Sequence, residues 1–297
     1  ECVDASGGIG PSSGLIYRRY PIGEIMADTR TLTNLTVDAT PDSDVERRLE
    51  IALGLAAQFG SSLTAVCSAW PDGVSFADAI THSPFSSLAQ ERELRSGIAR
   101  VSSAFDRLAR GKTVDTQWCD SIAHPSAAIL DHALLADLVI MSTAPASDFA
   151  HADALEVAAR SGSPVLRLGP EAPTTSFKNI LICWKDSRES RCALRAAVPM
   201  LQHATRIVLA GVGEDVSSDR LAEVGDYLSL YGVETQILHL AGNESAPGKL
   251  LADLSRREDF HLIVAGARAH GLWKERLFGG VTRDFLAVTD INWLLAN

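Results

Sequence analysis

The strand pattern of this chain runs twice. From Thr33 onward, short β-branched or apolar runs alternate with longer segments of helical period, the pattern of βαβ units and a parallel sheet. Strands are predicted at 33–38, 62–67, 113–118, 137–142 and 164–168, and again at 178–184, 205–211, 233–239, 261–265 and 290–295. Leu35 and Ile180 stand 145 residues apart and Leu63 and Ile207 stand 144 apart, while the third strands share a phrase, Val114-Asp-Thr-Gln117 and Val233-Glu-Thr-Gln236. A period this long is far beyond a solenoid repeat and implies two copies of one domain.

At the third strands the offset drops to 119, so the first copy carries about 25 extra residues, most of them between Ser68 and Arg95. In the first crossover helix, Pro41-Asp42-Ser43 followed by Glu46 reads as a capping box. Val45, Leu49, Ala52, Ala56 and Phe59 share one face, and Gly60 is the stop. Its counterpart starts near Ser187, carries Leu194, Ala197 and Leu201, and ends before Thr205. Gly169 to Thr175, rich in Pro and Gly, reads as a linker. The expected division is a first domain over 31–169 and a second over 176–297. Residues 1–30 are rich in Gly, Ser and Pro, lack an apolar period and contain Met26, so they are expected to be a flexible or non-native segment.

At 297 residues the chain is sized for two ordinary domains, and 46% hydrophobic with 22% charged residues is globular composition. A net charge of −10 opposes attraction to nucleic acid or anionic lipid. No apolar run reaches the ~18 residues of a membrane span and no leader is recognisable, so the expected location is the cytoplasm, without a membrane or nucleic-acid partner. The five cysteines form no CxxC pair and are expected to be reduced.

No GxSxG elbow, HExxH helix or metal-ligand spacing occurs, so neither a catalytic group nor a metal is expected. Gly242 to Lys249 imitates a Walker A loop but has one residue too many between its glycines, and Leu250 replaces Ser or Thr. Gly211-Val-Gly213 follows the second strand of its copy and lacks the third glycine of a dinucleotide fingerprint. Ser187, Ser217 and Ser218 stand where helix N-caps belong. The eight histidines are scattered, and His270 alone lies in a candidate loop.

That loop follows the fourth strand of the second copy, from Gly266-Ala267-Arg268 to Phe278-Gly279-Gly280-Val281-Thr282-Arg283. In an open parallel sheet ligands bind at the carboxyl ends of strands. Gly266 permits a tight turn or close approach, and amides at Gly279-Gly280, entering a helix, would suit a phosphate. Strand-to-helix turns need glycines for their own sake, and both readings stay open on the residues alone.

These residues resemble the universal stress proteins, in particular tandem two-domain bacterial members. The family pattern is Gly, two residues, Gly, nine residues, Gly, then Ser or Thr. Gly266 and Gly279 match it, with Ala269 and Gly280 in place of the second Gly and the hydroxyl residue. Phe278 to Asp284 and Trp184 to Glu189 carry the same likeness, which spans Thr33 to Asn297.

The resemblance implies two tandem α/β, doubly wound, Rossmann-like domains, each with a five-stranded mostly parallel sheet. Their fifth strands, Val165 to Leu168 and Ile291 to Leu295, would pair as an intramolecular pseudo-dimer. It also implies a stress-response regulator that binds an adenine nucleotide (ATP, ADP or AMP) in the second domain. The implied contacts are Gly266, Ala267, Arg268, Gly279, Gly280, Val281 and Thr282, with Asp38 as the family's adenosine-side Asp in the first copy. The first copy's own loop, Ser142 to Asp148, has no glycine. A nucleotide-independent interaction module docking a signalling protein stands as the rival reading, a homodimer and a slow ATPase as lesser ones.

Overall fold

The computed structural model describes residues 31–73, 88–143, 147–170, 177–213, 216–240, 247–267 and 290–297. The run Ile180-Leu-Ile182 has no polar face, so it is satisfied only as a strand covered on both sides, and the alternating Asn34-Leu-Thr-Val-Asp38 is buried from Leu35 to Asp38 as well. All ten expected strands form: β1 (Asn34–Asp38), β2 (Ser62–Ser68), β3 (Thr116–Ser121), β4 (Leu138–Ser142), β5 (Val165–Leu168), β6 (Asn179–Trp184), β7 (Arg206–Val212), β8 (Gln236–Leu240), β9 (Leu262–Gly266) and β10 (Trp293–Ala296). The described helices are α1 (Val45–Phe59), α2 (Leu88–Ala109), α3 (Pro125–Ala133), α4 (Ala154–Ser161), α5 (Arg188–Leu201), α6 (Ser218–Ser229) and α7 (Pro247–Arg257).

The strands make one sheet in the order β3-β2-β1-β4-β5-β10-β9-β6-β7-β8, two copies of one doubly wound order joined through their fifth strands. Within each copy every pairing is parallel, and Leu35 lies opposite Leu63 as Ile180 lies opposite Ile207. The joint is antiparallel, with Trp293 opposite Arg167, Leu294 opposite Leu166 and Leu295 opposite Val165.

The repeat persists at the level of single hydrogen bonds. Asn34 Nδ2 donates to the Leu135 carbonyl and Asn179 Nδ2 to the Asp259 carbonyl, both at 3.0 Å, tying the start of each first strand to the turn before its fourth.

The two third strands start about three residues later than the apolar pattern suggested. Asp115 contributes only its carbonyl, which accepts from the Leu63 amide at 2.8 Å, and Gln117 and Gln236 then pair with Thr64 and Val208. β3 and β8 are the outer edges of the sheet and only half-buried, so their alternation fixes a start weakly.

One apolar layer gathers α1, α2, α5 and α6 on one face of the sheet, and the other gathers α3, α4 and α7 on the opposite face. Each layer runs across both copies. α2 has 22 residues against 12 in its counterpart α6, so part of the first copy's insertion is helix; residues 74–87 lie outside the described residues. Gly60 ends α1 with φ 68°, its amide bonded to the Ala56 carbonyl.

The capping box does not form. Asp44, not Ser43, is the N-cap of α1, and its carboxylate caps no amide because Arg47 and Ser142 engage it. Ser187 and Ser217 do cap α5 and α6, and Ser218 is the first helical residue of α6. No described helix is long and apolar enough to cross a membrane.

Candidate functional site

Strand order reverses between β1 and β4 and again between β6 and β9, so the fold opens one crevice at the carboxyl ends of each pair. The two crevices differ in content.

In the first crevice, β1 ends on Asp38, 4% exposed, whose Oδ1 accepts from the Thr40 amide at 2.9 Å and the Thr40 hydroxyl at 2.6 Å. Beside it lies Arg48, projecting from α1 and only 1% exposed. Its Nε donates to the Asp38 carbonyl, while Nη2 donates to the Thr40 carbonyl at 3.2 Å and to Asp42 Oδ2 at 3.0 Å. Burial works against the guanidinium charge, but Asp38, Asp42 and Asp44 outweigh it and raise the Arg48 pKa. A buried cation survives only with such partners.

Asp44 joins the same cluster. Arg47 holds its carboxylate through Nε at 2.6 Å and spends Nη2 on the Gly169 carbonyl at 2.8 Å, and the Ser142 hydroxyl at the end of β4 donates to Asp44 Oδ2. Burial would raise the Asp44 pKa, yet the hydrogen bonds from Arg47 and Ser142, then the charges of Arg47 and Arg48, hold it below the usual value. Above this cluster the loop after β2 is laced to the loop after β4. Ala150 donates to the Trp70 carbonyl at 2.8 Å and Asp72 to the Asp148 carbonyl at 3.2 Å, and His151 Nδ1 stands 3.8 Å from Asp42. The first crevice is thus lined by a buried ion cluster, and the described parts of its two loops are hydrogen-bonded to each other.

The second crevice has small residues where the first has ions. β9 ends on Gly266, whose register counterpart in the first copy is Ser142. A Cβ added to Gly266 would lie 2.6 Å from the Ser190 amide nitrogen and 2.7 Å from the Glu189 carbonyl carbon, so this glycine lets the start of α5 lie directly against the strand. Ala193 occupies the turn of α5 that corresponds to Arg48 and is 1% exposed. The register counterpart of Asp38 is Cys183, a half-buried thiol whose pKa is pushed up by desolvation. Lys185-Asp186 therefore follow that position. Asp186 accepts from Trp184 Nε1 at 3.0 Å and from Arg220 Nε at 3.1 Å.

The structure separates the expected site residues. Asp38 on β1 and Gly266 on β9 are divided in the sheet by β4, β5 and β10. Ala267 is 2% exposed and its amide donates to the Ala296 carbonyl at 2.7 Å. Arg268, Gly279, Gly280, Val281 and Thr282 lie outside the described residues, as do Ala269, His270 and Arg283. Among the described residues no group of His, Cys, Asp or Glu could hold a metal ion. Sequence reading missed Arg48, although its place three residues after Val45 and four before Ala52 puts it on the buried stripe of α1.

No protein-family model matches the chain, and no curated protein does. Solved structures do. A universal stress protein from Archaeoglobus fulgidus, 12% identical, superposes with a TM-score of 0.64 over 88% of this chain and 96% of its own. A functionally unknown protein from Pseudomonas aeruginosa, 15% identical, superposes with a TM-score of 0.51 over 89% of this chain and 92% of its own. Over almost its whole length the chain has the fold of a solved universal stress protein.

Proposed function

We propose that the chain is a stress-response protein of the universal stress protein type that binds an adenine nucleotide in its second half and carries no dedicated catalytic group. The observation that supports this reading is the asymmetry of the two crevices. The first is lined by the buried charges of Arg48, Asp42 and Asp44, whereas the second has the uncharged Gly266 and Ala193 at the matching places. A phosphate there would be met by Gly279, Gly280, Val281, Thr282 and Arg268 rather than by Ala267, whose amide is engaged. Asp38 holds Thr40 and takes no part.

Calorimetry with ATP, ADP and AMP tests it. The expected result is saturable heat, weakened at least about tenfold by Gly279→Leu, one tenfold step being 1.4 kcal/mol, and unchanged by Asp38→Asn. Absence of heat with all three nucleotides, or indifference to Gly279→Leu, overturns the proposal in favour of a nucleotide-independent interaction module, for which a copurifying protein partner would then be sought.

A further inference from the structure

Beside the second crevice, at the carboxyl end of β6, the helices α5 and α6 leave a groove of about 350 Å³ on one face of the second copy. This lies within the size range of small-molecule sites. Leu194 and Val224, 3% and 6% exposed, form its apolar floor. Trp184 and Tyr227 supply rings at its wall, and both are held. The Trp184 indole donates to Asp186, and Tyr227 packs edge-on to Tyr231 with centroids 5.4 Å apart. Asp186 also grips Arg220, which in turn pairs with Glu223, so the two carboxylates lining the groove share one arginine and, with Arg191 and Arg195 counted, the lining holds three cationic groups against two anionic ones.

That leaves Arg191 and Arg195. They stand one turn apart on α5, are exposed, line the same groove, and have no ion pair among the described residues. Like charges at this spacing repel on a helix, and the chain as a whole is acidic enough to pair them. The scaffold does not require them. At the 145-residue offset the first copy has Glu46 and Glu50 in their places, with Glu46 paired to Arg107 at 2.7 Å.

We propose that the α5–α6 groove is a binding site for a small planar aromatic compound bearing one oxyanion, its ring against Trp184, Tyr227, Leu194 and Val224 and its anionic group between Arg191 and Arg195. An arginine fork recognises an oxyanion by paired hydrogen bonds, and the fixed rings supply a flat apolar surface at low entropic cost.

Calorimetry of the full chain with 2-naphthoate, against the neutral 2-naphthalenemethanol, provides the test. Saturable binding of naphthoate with Kd below about 1 mM is expected, weakened at least tenfold both for the neutral alcohol and in the double variant Arg191→Gln/Arg195→Gln. Both changes sit on exposed side chains, so circular dichroism should match the parent. Gly279→Leu should leave naphthoate binding intact, which separates this site from the nucleotide reading. No saturation, equal affinity for the alcohol, or an undiminished double variant overturns the proposal.

Discussion

Leu166 and Leu294 face each other at the centre of the antiparallel joint between β5 and β10, on the pseudo-twofold axis that relates the two copies. Both side chains belong to the apolar layer that gathers α1, α2, α5 and α6, while Val165, Trp293 and Leu295 belong to the opposite layer. The joint is therefore a piece of continuous core on both faces, and Phe59 at the end of α1 meets His203 beyond the end of α5, ring centroids 5.2 Å apart.

Unfolding should accordingly be one cooperative event. Urea titration followed by far-ultraviolet circular dichroism and by tryptophan fluorescence should give superimposable curves. Two separated transitions would show that the halves fold independently. Trp293→Ala, which empties a fully buried position at the joint, should cost about 3–5 kcal/mol while keeping a single transition.

The ion cluster of the first crevice makes a second prediction. Removing Arg48 leaves Asp42 buried without its cation, so Arg48→Met should destabilise the chain by about 3–5 kcal/mol. Pairing Arg48→Met with Asp42→Leu should recover part of that loss in a double-mutant cycle. If Arg48→Met is neutral in chemical denaturation, the cluster does not hold α1 to the end of β1.

Gly266 gives a third. Ala at this position would drive its methyl into the backbone of Glu189 and Ser190, so Gly266→Ala should lower stability by about 1–3 kcal/mol through overpacking. A thermal melt of the variant checks it, and an unchanged Tm would mean that α5 shifts freely away from β9.

Acid lability is the fourth. Burial alone would raise the Asp137 pKa, but hydrogen bonds from the Thr33 hydroxyl and from the Thr33 and Asn34 amides outweigh it and hold the carboxyl below its usual 3.8; Asp44 is depressed likewise. A carboxyl whose folded pKa is lowered contributes stability that is present above its unfolded pKa and is lost as pH falls through the folded one. The urea midpoint should therefore fall as pH drops below about 4, and Asp137→Asn should flatten that limb. An unaltered acid limb in Asp137→Asn would refute the assignment.

The periodicity of the sequence carried the fold far. Leu35 with Ile180 and Leu63 with Ile207, aligned by offset alone, occupy equivalent rungs of the two halves of the sheet. Edge strands were placed less well because half-burial blurs their alternation. The crevices were harder to foresee. A helix wheel marks Arg48 as lying on the buried stripe, but an arginine there is paid for by Asp38, Asp42 and Asp44, which reach it through tertiary folding. The same holds for Asp44, the N-cap of α1, whose carboxylate is engaged by side chains from α1 and β4 instead of by a helix amide. Gly266 was marked as a turn or ligand glycine, and its packing against α5 depends on a helix that begins 78 residues earlier.

Joining the copies through β5 and β10 has a further consequence. In a homodimer of separate chains every substitution appears twice, on both sides of the axis. Here a change made in one crevice is made only once. The chain can keep Arg48 in one half and Ala193 in the other, or Glu46 in one and Arg191 in the other, so one half is free to serve as a fixed scaffold while its twin explores ligands.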